Sequence, residues 1–445
     1  MNTNKLSEKI TDNVFQFYAD NKKICDKWYN LAENSNIDKI YDDIDEITKK
    51  ELFSQTAIVV LTANKYENNV LHQKIYQLNK KQKKIHKMKI NLATPCDKYS
   101  EAFAYWFEWN DYSVLHINAN VTGSYTIGGS ADIVKWVINN PYLFPSAIIS
   151  LGIAFGANED ENGLGDVVIS EKIYPYFVGA KINDEALSIV DDNAFEIGSE
   201  FNRIKNLSTE NKFRRLEKRL RIKISLGNYL TGEAVVSSQK ARDAFLHITT
   251  QEIKAGDMEG YGLFKECKDK NVLIPCLTIK SICDWGVAKN FNEKNNKALS
   301  KFKEVVSEKL DEKDKAKLRH ENYIELLRTL KDRIQAVASS YAFETLNAII
   351  IEKALDNSLI YSLKEWIKGY NGTTTSCDKL KNKAINELKL KGGGVSLTNE
   401  YIHSCVLVLY NEGYIKCEKD CLNHLMTCND MLDCHTIEVT KKPAK

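Results

Sequence analysis

The sequence predicts an α/β fold with a mixed, mostly parallel central sheet, on three observations. Residues 56–61 (TAIVVL) are apolar almost throughout, the pattern of a strand buried on both faces. Further strand-like runs at 113–118, 147–151, 165–170 and 222–230 alternate with helical stretches, the order of a parallel sheet with crossover helices. The long run 272–282 stops at an acid beside an aromatic, Asp284 and Trp285, and α/β proteins place ligand sites at such strand ends.

Composition bounds the rest. At 445 residues the chain is longer than one ordinary domain. A hydrophobic fraction of 43% with 27% charged residues is that of a globular protein with ample core. The net charge of +2 makes no case for nucleic acid or a membrane at the level of the whole chain. The polar first ten residues do not read as a signal peptide, and no run approaches the roughly 20 apolar residues that span a bilayer. Eleven cysteines, an odd number, argue for reduced thiols and a cytoplasmic location.

Residues 1–52 read as an N-terminal helical extension, with Ile10, Val14 and Phe17 at i, i+4, i+7 and Trp28 and Leu31 continuing the apolar face. The extension carries no chemical motif and is expected to pack on the main domain or on a partner subunit. Residues 53–355 form that domain. Its first strand enters TANKYENNVL, a polar turn leading into a helix with Glu67 one turn in. A loop holding Gly123, Gly128 and Gly129 follows the second strand, then a helix at 131–138, and a small-residue turn at 152–156 (GIAFG) follows the third strand. Residues 203–223 are strongly basic, with Phe213, Leu216 and Leu220 at helical spacing. They read as a solvated helix face or as a contact for an anionic substrate or partner. Residues 290–330 are a charged helical insertion, after which Ile334, Val337, Ala338, Tyr341 and Ala342 restore a buried stripe.

Residues 356–445 read as a small C-terminal α+β module. A loop at 369–376, a triple glycine at 392–394, a helix at 398–409 and strands at 414–417 and 436–440 give it a winged-helix-like order. Cys417, Cys421, His424, Cys428, Cys434 and His435 are dense enough to raise the question of zinc. They lack paired C-x2-C knuckles, and no metal and no cofactor are expected.

Five pieces stand in one order: Glu67 after the first strand, GIAFG with LGDVVIS, TGEAVV, GDMEG at 256–260, and IKSICDWG at 279–286. Together they resemble the nucleoside phosphorylase/nucleosidase superfamily, which includes methylthioadenosine nucleosidase, purine nucleoside phosphorylase and AMP nucleosidase. With SICDWG joined to extra terminal parts, the chain is most similar to phosphorylase-like effector domains of bacterial antiphage defence. The resemblance covers roughly residues 53–354. It implies a three-layer α/β/α sandwich and cleavage of an N-glycosidic bond, with an acid at the leaving purine and acceptors for the ribose hydroxyls.

Carried over residue by residue, the resemblance makes Asp284, expected to be buried beside Trp285, the proton donor to the purine, and Glu67 the activator of water. It makes Glu259 the grip on the ribose, next to Asp257, and Met258 the packing on the sugar. Gly152, Ala154 and Gly156 match the turn that lets backbone approach the ligand. Val235 and Val236 match the frame of the purine, where the family often has an aromatic. Cys283 stands in place of a serine, and Ile153 in place of a small or polar residue. The family's habit implies a homo-oligomer, and the C-terminal module is a place for a regulatory protein or nucleic-acid partner; no membrane partner is expected.

Hydrolysis is expected over phosphorolysis, because TANKYENN has no arginine and NANVTGSYTIGG no basic residue to hold phosphate. Lys65, Lys280 and the basic stretch are point charges for a 5′-phosphate, and ordinary surface lysines account for them equally well. The expected substrate is a purine nucleotide, ATP or a related adenine nucleotide, cut to free base and ribose phosphate. The alternatives are a purine nucleoside phosphorylase, a methylthioadenosine-type nucleosidase, and a catalytically silent nucleotide-sensing module.

Overall fold

A computed structural model describes residues 3–286 and 323–355, and beyond them only 374–375, 415–416 and 437–439. Outside the description within the first span lie 35–41, 79–84, 93–100, 177–179, 184–185, 190–193, 197–201, 210–211, 234–238, 247–250 and 270–273, and a few single positions lie outside it in both spans.

The chain opens on helix α1 (Thr3–Glu33), kinked at Asn21, whose φ of −116° leaves the helical region. Strand β1 (Asp42–Asp43) precedes α2 (Glu46–Gln55), which starts where Asp45 accepts the Thr48 N–H at 2.7 Å. Next come β2 (Ile58–Thr62), buried along its whole length, and α3 (Lys65–Leu78). The Asn64 side chain caps α3 by accepting the N–H groups of Tyr66 and Glu67. Strands β3 (Ile85–Asn91), β4 (Glu101–Trp109) and β5 (Tyr112–Asn118) follow, then α4 (Ser130–Asn139) and the ten-residue β6 (Ala147–Gly156). Strand β7 (Val167–Pro175) leads to the hairpin β8 (Ala180–Asn183) with β9 (Ala186–Ile189), and to β10 (Phe195–Glu196).

Two short helices, α5 (Asn202–Thr209) and α6 (Arg214–Leu220), replace the single basic helix expected at 203–223. The second ends on Arg221, whose left-handed φ of 57° turns the chain into β11 (Ile224–Thr231). After α7 (Gln239–Leu246) come β12 (Ile253–Asp257), α8 (Gly260–Asp269), β13 (Cys276–Asp284) and α9 (Tyr323–Ile351). Strands β14 (Thr374–Thr375), β15 (Ile415–Lys416) and β16 (Ile437–Val439) pair antiparallel in the order β14-β16-β15. Two of them fall where the C-terminal strands were expected, and β14 falls in the expected loop 369–376. The expected helix at 398–409, the triple glycine, the Cys/His cluster and nearly all of the charged insertion lie outside the described residues.

The heart of the main sheet, β5-β2-β6-β13, is parallel, as the apolar runs predict. Antiparallel partners surround it: β4 on β5, β12 on β6, and β7 on β13. Because β11 joins β12 to β7, the strands β6, β12, β11, β7 and β13 close a ring. Closure leaves no free edge on these strands. It also corrects the reading of 152–156 as a turn, since β6 runs straight through GIAFG to pair with β12 at Phe155 and Gly156.

Helices cover the sheet in two groups, giving the α/β/α sandwich. Helices α1, α3 and α9 pack on one another, with α9 against β6, β13 and β7; α4 and α8 form the second group, with α8 on β13, β7 and β6. The stripe expected in α9 is buried, and Ile334, Val337 and Leu346 each contribute roughly 1.5–3 kcal/mol of apolar burial. Residues Arg328–Ile351 are long and apolar enough to cross a membrane by length and composition. Some 72% of their apolar window is buried inside the protein, and here they are the core helix.

Candidate active site

Strand β2 ends at Thr62, and α3 begins three residues later with Glu67 in its first turn. The Glu67 carboxylate is buried and turns back over its own helix start. Its Oε2 accepts the N–H groups of Ala63 at 2.7 Å and Asn64 at 3.1 Å. Its Oε1 accepts the Ile153 N–H of β6 at 2.8 Å and lies 3.7 Å from Lys280 Nζ. This approach needs Gly152, because a Cβ there would stand 1.9 Å from Glu67 Oε1. Burial pushes the Glu67 carboxyl above its ordinary range, with the Lys280 charge opposing.

Lys280 is fully buried in β13, in register with Gly152. Its ammonium donates to Glu259 Oε2 at 3.0 Å and feels the charges of Glu67 and Asp257 as well. Burial works against the charge, yet Glu259, Glu67 and Asp257 outweigh it and hold Lys280 protonated, above its usual range. Glu259 sits just past the end of β12, and its Oε1 accepts the Gly123 N–H at 3.3 Å from the loop ahead of α4. Asp257 closes β12. One of its oxygens accepts the Gly260 N–H at 3.1 Å, and Oδ2 is buried without a hydrogen-bond partner among the described residues. Burial, opposed by Lys280, pushes Asp257 up to about 6. Three buried carboxylates thus share one ammonium, which leaves the pocket negative when all are ionised.

Four residues beyond Lys280, Asp284 ends the same strand. At about 3.3 Å per residue, that is at most about 13 Å along β13, shortened by an irregularity between Ile282 and Asp284. Asp284 accepts the Gly286 N–H at 2.7 Å, and the Cys283 thiol points at its other oxygen from 3.7 Å. The carboxyl was expected to be buried beside Trp285; instead it is part-exposed, while Trp285 is buried and donates its indole N–H to Asn162 O at 2.9 Å. Trp285 is therefore committed to packing, and a Cβ at Gly156 would press on its ring. Met258 is half-buried, and its carbonyl accepts the Ser124 hydroxyl. Ala154 is buried within β6. Val235 and Val236 lie outside the described residues.

The sequence places Glu67, Asp257, Glu259 and Asp284 in three separate motifs, and the fold brings Glu67 and Glu259 onto one lysine whose charge also acts on Asp257. What sequence reasoning missed is the work of Lys280. The available signal was a lysine inside an otherwise apolar strand, which burial tolerates only when the charge is paired. Its pairing corrects the reading of Lys280 as a phosphate contact. Lys65, the second such candidate, is held by both Glu33 oxygens at 2.8 and 2.7 Å. The basic stretch is the third. Arg219 of α6 pairs with Glu344, which also pairs with Lys74, seven residues and about 10 Å along α3 from Glu67. That contact tethers α6 to the Lys74 end of α3, away from the turn that carries Glu67.

An α/β/α sandwich with buried carboxylates at the ends of its strands is the class that the fold and the site define. Residues 134–311 match the family model described as the phosphorylase superfamily. A 5′-methylthioadenosine/S-adenosylhomocysteine nucleosidase from Neisseria meningitidis is similar at 15% identity and a TM-score of 0.42, over 66% of this chain and 98% of that one. A futalosine hydrolase of Helicobacter pylori is similar at 12% identity and a TM-score of 0.42, over 67% and 98%. An S-adenosylhomocysteine nucleosidase from Streptococcus pyogenes is similar at 13% identity and a TM-score of 0.42, over 66% and 96%. Likenesses this distant add nothing on substrate or residue roles. Comparison with curated proteins finds no match.

Proposed function

We propose that the protein is a purine nucleosidase that hydrolyses an N-glycosidic bond. The observation that carries this is the convergence of Glu67 and Glu259 on Lys280, with Asp284 at the end of the same strand. In this reading Lys280 fixes both glutamates. Glu259 accepts the ribose hydroxyls and stabilises positive charge developing on the sugar. Glu67 takes a proton from the attacking water, a task suited to a carboxyl raised by burial. Asp284, part-exposed at the far end, gives a proton to the departing purine. An acid at the leaving base and a base for the attacking water are the two groups that hydrolysis of such a bond requires.

Of the candidate cations for a 5′-phosphate, Lys65 pairs with Glu33, Lys280 with Glu259 and Glu67, and Arg219 of the basic stretch with Glu344. This favours an uncharged purine nucleoside over the ATP or related adenine nucleotide that the resemblance implies. A nucleotide-depleting antiphage effector in the cytoplasm is the second reading. It rests on the wording of SICDWG and the extra terminal parts, and it needs phosphate contacts from residues beyond those described.

The test is to incubate pure protein with adenosine, methylthioadenosine, AMP and ATP, with and without phosphate, and to follow free base. Base from the nucleosides without phosphate is expected. A strict requirement for phosphate would make the protein a phosphorylase, release from ATP alone would reinstate the effector reading, and no release from any purine would leave the nucleotide-sensing module. Asp284→Asn is expected to lower release by at least about 10²-fold with the thermal midpoint unchanged. Full activity in that variant would remove Asp284 from its role.

A further inference from the structure

We propose that Cys267 and Cys276 are an oxidisable dithiol that peroxide closes to a disulfide, cross-linking α8 to β13. Cys267 lies in the last turns of α8 and Cys276 is the first residue of β13, so a short connection separates them. The Cys276 thiol points at Cys267 Sγ across 3.2 Å. A disulfide needs about 2.05 Å, so closure asks for little more than 1 Å, within reach of small side-chain rotations. The two residues are 5% and 7% exposed, which shuts out bulky thiol reagents and admits a small oxidant. The other described cysteines, Cys25 and Cys283, lie in α1 and beside Asp284.

The chemistry balances with hydrogen peroxide as the oxidant. One thiolate attacks a peroxide oxygen, the O–O bond breaks, and a sulfenic acid forms with release of one water. The second thiol then attacks that sulfur, forming the S–S bond and expelling the second water. Each sulfur gives up one electron, and the pair of electrons reduces the peroxide. Because α8 starts next to Glu259 and β13 ends at Asp284, the link ties the ends of these two elements that lie away from the carboxylates. The alternative is that two small apolar side chains merely pack, as buried cysteines often do.

A peptide map of the full-length protein decides between them, and it needs no enzymatic readout. After peroxide, alkylation of remaining thiols in denaturant and trypsin, cleavage at Lys268 and Lys270 separates Cys267, in peptide 266–268, from Cys276, in peptide 271–280. The expected result is a linked pair, two hydrogens lighter than the separate peptides and dissolved by dithiothreitol. The thermal midpoint should rise by roughly 5 °C on oxidation, reversibly, and stay put in Cys267→Ser and Cys276→Ser. The proposal is overturned if both peptides are recovered alkylated while other thiols of the chain have been oxidised. Linkage of Cys267 to a different cysteine, or an equal rise in Cys267→Ser, overturns it too. Should Cys276→Ser fail to fold, the wild-type map still gives the answer.

Discussion

At Lys280 one ammonium answers three carboxylates, and its loss strands them in the interior. Removing one side of a buried ion pair costs about 3–5 kcal/mol, and Lys280→Met is expected to lower the unfolding free energy by that amount, read as a lower urea midpoint at constant m-value. A midpoint equal to the wild type would mean that the ammonium is not the counter-charge of this pocket. Gly152 poses the complementary question of space. In Gly152→Ala the new methyl would stand 1.9 Å from Glu67 Oε1, so the carboxylate must swing away from the Ile153 N–H. A misplaced catalytic group of this kind costs about 10²-fold, and base release should fall by that factor while adenine binding is retained. Unchanged turnover in Gly152→Ala would show that the position of Glu67 is immaterial.

Among the elements, α3 and β5 meet over a pair of histidines whose rings lie 5.0 Å apart, with Tyr105 of β4 against both. The Thr62 hydroxyl lies 2.8 Å from His116 Nε2, and the Asn68 amide oxygen 3.1 Å from His72 Nε2. Burial depresses both histidines, His116 to about 3. A base with a folded pKa below its unfolded value of 6.5 stays neutral while the unfolded chain takes up protons. Stability is therefore whole above pH 6.5 and drains away as pH falls towards 3. His116→Asn is expected to flatten the loss of stability between pH 6.5 and 4, followed by circular dichroism in urea. An identical acid slope in that variant would mean that His116 takes up its proton in the folded protein as readily as in the unfolded chain. Between elements, α1 is fastened to the turn that bears Glu67, through Glu33 on Lys65 and Tyr66 and through Asn69 on the Ala32 carbonyl. The N-terminal extension thus braces the helix that carries one of the catalytic candidates, which its lack of chemical motifs did not reveal.

For the whole molecule, the boundary near residue 355 is a proposal with a direct test. Removing 356–445 is expected to leave base release within about threefold, because the carboxylates, Lys280 and the core helix α9 all precede it. Loss of soluble protein or of all activity on truncation would place the C-terminal module within the working unit, as an assembly role would require. A homo-oligomer, expected from the family, is measured in the same experiment by the mass in solution of the full and shortened chains.

Much of this architecture was legible along the chain. Apolar runs mark β2, β6 and β13 because a strand buried on both faces is filled mostly by apolar side chains, with Lys280 a paired exception, and the stripe in α9 repeats at helical spacing for the same reason. The acidic motifs carry the resemblance because they are short and local. Strand β3 (IHKMKIN) escaped the reading because charged residues interrupt its pattern, whereas β4 (EAFAYWFEW) escaped it although 102–107 is an unbroken apolar run; their pairing with each other comes from contact between strands rather than from local sequence. Strand β12 escaped it too, since it is short and runs into the GDMEG motif at Gly256 and Asp257. Nothing local says that five strands close into a ring, that Asp284 is part-exposed while Trp285 is buried, or that Lys280 meets Glu67 and Glu259 rather than a phosphate. Each of those facts depends on groups distant along the chain sharing one low-dielectric space, where an unpaired charge is costly and a neighbouring backbone N–H or carboxylate decides its state.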